Sequence, residues 1–154
     1  SKRFIAAPQF ILGITFGSGS LIAYSLQSND FTISLMILYT GIVAWIISFD
    51  TYYALEDKED DLKININSTA IMWGENAIKY ARILHLFFYF SLILIAILNK
   101  FSYAFLLIII LLLLIFIYQK KLINESKFLD AFKINNLVGI IAVLGFVLEI
   151  ILLK

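Results

Sequence analysis

Hydrophobic positions along this chain gather in long unbroken runs instead of recurring every second or every third to fourth residue. Stretches free of Asp, Glu, Lys and Arg cover residues 4–29, 31–49, 83–99, 101–119 and 134–148. A helix that crosses a bilayer needs about 17 to 25 mostly apolar residues, so four runs are long enough as they stand. The last continues past Glu149 into Ile150, Ile151, Leu152 and Leu153, and one acid near the membrane edge does not prevent a crossing. Strands of a membrane barrel would alternate apolar and polar residues, and these runs do not. Pro8 is the single proline. The pattern predicts an all-α polytopic transmembrane helix bundle of about five spans, near residues 9–27, 31–49, 81–98, 102–119 and 135–153. Residues 1–154 then form one membrane domain. Ser1-Lys2-Arg3-Phe4 resembles the start of a signal peptide, but no cleavage region follows, and the stretch is read as the first span.

Composition agrees with this reading. The chain is 62% hydrophobic and 15% charged, where soluble domains are about half apolar and a quarter charged. Cysteine is absent, which removes disulfides and thiolate metal sites. Charge adds an orientation. When five spans alternate across the bilayer, ten of the twelve basic residues fall on one side: Lys2, Arg3, Lys58, Lys63, Lys79, Arg82, Lys120, Lys121, Lys127 and Lys133. Lys100 and Lys154 fall on the other. The crowded side is cytoplasmic by the positive-inside rule, and the short links at Ser28 to Asp30 and Asn99 to Ser102 lie outside.

Six of the eleven acids sit within twelve positions: Asp50, Glu56, Asp57, Glu59, Asp60 and Asp61. A solvated loop is the plain explanation, and spacing argues against it. Asp50, Tyr53, Asp57 and Asp61 follow one another at steps of three, four and four, so they share a face if the second span continues as a helix. Carboxylates four residues apart repel unless a cation lies between them. Mg2+ suits such a pair, because it takes one or two carboxylates together with substrate phosphates and water. The expected ligand is therefore a diphosphate bridged through metal. No phosphate-binding glycine loop or histidine-rich site competes with that reading.

The stretch Asp50-Thr51-Tyr52-Tyr53-Ala54-Leu55-Glu56-Asp57-Lys58-Glu59-Asp60-Asp61-Leu62-Lys63, with Ser68-Thr69-Ala70 and Gly74, closely resembles the second aspartate-rich motif of the UbiA superfamily of intramembrane aromatic prenyltransferases. Lys2-Arg3, Pro8-Gln9 and Gly13 are similar to the beginning of that family's fifth helix. Tyr118-Gln119-Lys120-Lys121-Leu122-Ile123, Phe132-Lys133, Asn135-Asn136 and Val138-Gly139 resemble its 4-hydroxybenzoate branch. The resemblance implies a nine-helix bundle in which two aspartate motifs hold Mg2+ against a polyprenyl diphosphate while an aromatic ring attacks the allylic carbon. It implies metal ligation by Asp57 and Asp61, catalytic support from Asp50 and Tyr53, and diphosphate contacts from Lys2, Arg3, Lys58 and Lys63. The implied partners are polyprenyl diphosphate, 4-hydroxybenzoate and the lipid bilayer. The implied setting is ubiquinone synthesis in a bacterial or mitochondrial inner membrane, with no nucleic acid involved.

Two departures modify that picture. Asn65 and Asn67 stand where the family commonly has glycine and lysine, although asparagine tolerates a left-handed turn. The family's first motif, Asn-Asp-x-x-Asp-x-x-x-Asp, has no counterpart, since Asn29-Asp30 leads into Phe31-Thr32-Ile33 on the expected outer side. The resemblance thus covers about the last five of nine helices. The chain is expected to be inactive by itself, whether as a gene fragment, a truncated product or one part of a split enzyme whose separate N-terminal half supplies the first four helices.

Other features carry two readings each. His85 is either a functional intramembrane group or a structural hydrogen-bonding one. Leu86-Phe87-Phe88-Tyr89-Phe90 either lines a prenyl tunnel or packs against lipid and core. Asn135-Asn136 caps the last span or bonds across the bundle. Gly13, Gly17 and Gly19 with Ser18 and Ser20 form a small-residue face that favours close helix packing. Two competing classes stay in view: a transport-type protein with a cytoplasmic acidic cation site, and a non-catalytic helical scaffold. The orientation is directly testable because native cysteine is absent. A cysteine replacing Lys120 should react with a membrane-impermeant maleimide only from the cytoplasmic side, and one replacing Lys100 only from the opposite side; the reverse pattern overturns the topology.

Overall fold

The computed structural model describes residues 7–26 and 31–152. Among the described residues eight α-helices follow one another: α1 (Pro8–Ser25), α2 (Ile33–Glu56), α3 (Lys58–Lys63), α4 (Thr69–Met72), α5 (Ala77–Leu98), α6 (Tyr103–Asn124), α7 (Phe128–Lys133) and α8 (Asn135–Leu152). A 3-10 turn, Gly74–Asn76, leads into α5. Four segments of the described chain are long and apolar enough to cross a membrane: Ile33–Glu56, Gly74–Leu98, Tyr103–Asn124 and Phe128–Leu152. A 24-residue helix is about 36 Å long at about 1.5 Å per residue, which exceeds the hydrocarbon core. Helix α1 stands where the first span was expected, though Gln9, Thr15, three glycines and three serines dilute its 18 residues. The second helix runs seven residues beyond the expected end at 49, because the polar residues from Asp50 onward keep helical backbone.

The chain meets the hydrogen-bonding needs of its helix ends locally. Pro8 occupies the start of α1, where its missing N–H costs nothing. Thr32 accepts from the Leu35 N–H at the start of α2 (3.2 Å) and Ser102 from the Ala104 N–H at the start of α6 (3.2 Å). Ser102 is itself gripped by Glu149 of α8. Its N–H donates to Glu149 Oε2 at 2.8 Å and its hydroxyl to Oε1 at 2.6 Å. The one acid in the last apolar run is therefore buried and fully engaged.

Helix α2 is central, packing most extensively on α5 and α1 and also on α7 and α4. Close approach depends on small residues. A Cβ added at Gly41 would lie 2.7 Å from Ser91 Cβ on α5, and one at Gly13 would lie 3.0 Å from Ile47 Cγ1 on α2. Gly17 likewise faces Val43, while Gly19 meets nothing, so the small-residue face of α1 packs through two of its three glycines.

A buried polar layer reinforces the contact with α5. His85 Nε2 lies 3.0 Å from the Tyr89 hydroxyl, and Nδ1 lies 3.5 Å from Ser48 Oγ. The histidine thus has the structural partners that one of its two readings required. Thr51 donates its one hydroxyl hydrogen to the Ile47 carbonyl (2.6 Å), so the Thr69 hydroxyl 2.8 Å away donates to Thr51. The Thr69 N–H donates to Gln9 Oε1 at 3.0 Å, which ties α4 to both α2 and α1. Phe88 and Tyr89 join the core with Leu92, Phe105 and Leu112, whereas Phe87 and Phe90 point outward. Leu107, Leu114 and Ile117 on α6 and Ile150 and Ile151 on α8 form an exposed apolar surface suited to lipid.

Helix α3 ends in a Schellman turn, with the Ile66 N–H donating to the Asp61 carbonyl at 2.9 Å and Asn65 in the left-handed region at φ 51°. Two measurements test this framework. Gly41→Ala should destabilise the bundle by about 1–3 kcal/mol through overpacking against Ser91, with recovery when Ser91→Gly is added, as read by detergent-induced unfolding. Asn65→Ala should cost about 1 kcal/mol while Asn65→Gly does not, because only the alanine is strained in that backbone region.

Candidate functional site

The acid cluster divides into three roles once the backbone is in place. Asp50, Asp57 and Asp61 line one cavity of about 410 Å³ together with Tyr53, Gln9, Asn67 and Ser68. Glu56 turns the other way, and its Oε2 accepts from the Leu129 N–H at 3.3 Å in the first turn of α7. Asp60 is exposed and accepts from Lys63 Nζ at 2.8 Å. That hydrogen bond, and the charge behind it, hold the Asp60 carboxyl below its usual range and raise the Lys63 ammonium. Glu59 is exposed.

The shared face expected from the spacing comes about in a modified way. Helix α2 stops at Glu56, and Asp57 is at once its last cap and the first cap of α3. The interruption is slight. The Asp57 carbonyl still accepts from the Asp61 N–H at 2.9 Å, and the Asp57 N–H donates to the Tyr53 carbonyl at 3.3 Å. The four-residue register therefore passes through the bend, and all four residues reach the same cavity. The Tyr53 phenol and the Asp57 carboxylate lie near each other in that lining. Among the described residues, no group of three or more Asp, Glu, His or Cys side chains stands close enough together to hold a metal ion without other ligands.

A second, larger cavity of about 770 Å³ adjoins the first and shares Asp50, Leu12 and Phe16 with it. Its remaining lining is apolar and aromatic except for the Asn135-Asn136 pair: Trp45, Ile46, Phe49, Phe132, Gly139, Ile140, Val143 and Leu144. Phe132 packs against Tyr53 at 5.2 Å and Phe49 at 5.8 Å, and Trp45 meets Phe49 edge-on at 5.4 Å. Asn135 bonds across the bundle. Its Oδ1 accepts from Trp45 Nε1–H at 2.9 Å, and its Nδ2 donates to the Ala131 and Phe132 carbonyls. Asn136 is exposed on the cavity wall.

The structure thus brings Asp50, Tyr53, Asp57 and Asp61 together and leaves Lys58 and Lys63 off the linings of both cavities. Lys2 and Arg3 lie outside the described residues. Sequence reasoning did not single out Trp45 or Phe49, and took up Phe132 only within the branch resemblance. A signal for two of them was present, because Trp45, Phe49, Tyr53, Asp57 and Asp61 form one stripe at steps of four, aromatic in the membrane and acidic at its edge. The arrangement suits an amphiphile, with carboxylates and a phenol for a charged head and aromatic walls for an apolar body.

Comparison with known proteins bears directly on this geometry. The model of the UbiA prenyltransferase family matches residues 1–148. A protein named 4-hydroxybenzoate octaprenyltransferase from Francisella tularensis subsp. novicida (strain U112) is 33% identical, over 97% of this chain and 54% of its own length. Another of that name from Edwardsiella ictaluri (strain 93-146) is 34% identical, over 97% of this chain and 53% of its own length. The chain spans about half the length of the curated relatives it matches. No solved structure matches. With four apolar helices able to cross a membrane and a family match over nearly its whole length, the chain is an integral membrane protein that belongs to the UbiA prenyltransferase family.

Proposed function

We propose that this chain is the C-terminal part of a 4-hydroxybenzoate polyprenyltransferase, which moves a polyprenyl chain from its diphosphate to the ring of 4-hydroxybenzoate during ubiquinone synthesis. The observation that carries the reading is the junction at Asp50 of a carboxylate-lined cavity with an aromatic, apolar one. A prenyl diphosphate has the same polarity profile, a compact anion joined to a long hydrocarbon. The relatives' names supply the acceptor ring.

An anionic head cannot sit among carboxylates without a cation. Asp57 and Asp61 fit Mg2+: they are hard oxygen donors one turn apart, and a pair of carboxylates leaves coordination positions for phosphate oxygens and water. When bound, Mg2+ supplies Lewis-acid stabilisation of the leaving diphosphate. The residues of the chain do the rest. The Tyr53 phenol, beside Asp57 in the same lining, is placed to orient its carboxylate. Lys63 can leave its exposed pair with Asp60 at little cost and, with Lys58, Lys2 and Arg3, offset the diphosphate charge. As the allylic C–O bond breaks, its electron pair leaves with diphosphate. The ring forms the new C–C bond at the allylic carbon and loses one proton, which Asp50, common to both cavity linings, is placed to accept. The aromatic wall around Phe49 and Phe132 keeps water from the developing cation.

The reading extends to a bacterial or mitochondrial inner membrane with the acidic segment on the cytoplasmic or matrix side. It is tested by prenyl transfer in membranes, with labelled 4-hydroxybenzoate, a polyprenyl diphosphate and Mg2+. The chain would be assayed alone and co-expressed with an N-terminal half from a relative. Product on co-expression, lowered about 10²–10³-fold by Asp57→Ala, is the expected result. Absence of product in both arms, or product indifferent to Asp57→Ala, would refute it.

A further inference from the structure

The α1 side of the acidic cavity carries no charge. Pro8 and Gln9, in the first turn of that helix, line the cavity together with Asp50, Asp57 and Asp61. Gln9 is 5% exposed, and its Oε1 accepts from the Thr69 N–H at 3.0 Å. A backbone N–H meets only an acceptor, so this bond fixes which half of the amide is oxygen and which is nitrogen. Thr69 is itself tied to Thr51 of α2, and the amide is therefore positioned by two neighbouring helices. Its Nε2 group keeps two donor hydrogens, neither of which bonds to another described residue.

Two further properties of this wall suit an anion. Helix α1 begins at Ala7 without a capping side chain and has no acid in its first turn. First-turn N–H groups carry partial positive charge, and here the Gln9 N–H has no acceptor among the described residues. The second property is neutrality. A lysine beside Asp50, Asp57 and Asp61 would pair with the carboxylates and compete with a cation for them, whereas an amide donates to an oxygen anion and leaves the carboxylates to the metal. An amide already anchored at one end also loses little conformational freedom when its other end binds.

We propose that Gln9 is a diphosphate-binding residue: anchored through Oε1 on the Thr69 N–H, it donates from Nε2 to a phosphate oxygen of the prenyl diphosphate. The anion then lies between the cation on Asp57 and Asp61 and the first turn of α1. The proposal rests on the prenyl-diphosphate reading, and its test separates the two. A glutamine that only ties α1 to α4 needs its oxygen alone, while one that binds the substrate needs its nitrogen. Gln9→Glu distinguishes these cases, because it keeps an oxygen for the Thr69 N–H and replaces the donor by an acceptor.

The full chain would be co-expressed in membranes with an N-terminal half from a relative, and KM measured for octaprenyl diphosphate and for 4-hydroxybenzoate at saturating Mg2+. In Gln9→Glu the diphosphate KM should rise about 10-fold or more, the order expected on losing a hydrogen bond to a charged group, with the 4-hydroxybenzoate KM within about 2-fold of the parent. Gln9→Met, which removes both polar atoms without adding charge, should show the same split and carries the test if the glutamate variant does not fold. An unchanged diphosphate KM, or an equal rise in both constants, would overturn the proposal while the parent's activity keeps the prenyl reading. A parent that yields no product would overturn both.

Discussion

Close packing of α2 on α5 is the constraint on which the rest of this molecule depends. In lipid there is no gain from hiding one apolar helix against another, so association relies on tight fit and on hydrogen bonds between helices. Gly41 against Ser91 supplies the fit, and Ser48, His85 and Tyr89 supply the bonding a few turns away. With those contacts set, the stripe that begins at Trp45, itself stacked on Phe88 of α5, runs along α2 to Asp61. Helices α1, α7 and α8 then enclose that stripe, tied through Gln9–Thr69, Glu56–Leu129 and Trp45–Asn135. Each tie joins α2, or the short α4 docked on it, to an element that lines a cavity.

The acidic segment shows how a single run of like charges serves separate purposes. Six carboxylates in twelve residues would repel strongly if all faced one way. The fold disperses three of them, as a helix cap, a surface partner for lysine and a solvated side chain, and keeps three at the cavity. The bend at Asp57 assists the sorting, because it lets α3 turn along the surface while hydrogen bonds preserve the spacing to Asp61. Ser68-Thr69-Ala70 closes the same region from the far side, with Thr69 satisfying Gln9 and Thr51 together.

Much of this was legible in the residues, for physical reasons that also mark where legibility ended. Long runs without charge identify helices of membrane length because unsatisfied backbone polar groups are not tolerated in hydrocarbon. The four-residue spacing placed Asp50, Tyr53, Asp57 and Asp61 on one cavity because helical register survives the bend. The aromatic wall was legible only as the Trp45–Phe49 part of that stripe, not in what it faces. Helix α2 is apolar all round its circumference, so hydrophobic periodicity cannot say which face meets α8. The pairing of Trp45 with Asn135 joins residues 90 apart. The span was drawn to 49 from the first charge, and the helix itself continues to Glu56, as the shared face of Asp50, Tyr53 and Asp57 required.

The grip of Glu149 on Ser102 has a bearing on how the protein is made. The start of α6 is synthesised 47 residues before the acid that satisfies it. Until α8 enters the bilayer, the Ser102 amide and hydroxyl must find water at the membrane surface. The carboxylate, in turn, is delivered to a position where that donor pair is waiting. Insertion of the last two long helices is therefore an ordered exchange of hydration for a protein partner, completed only as translation of this segment reaches its final turns.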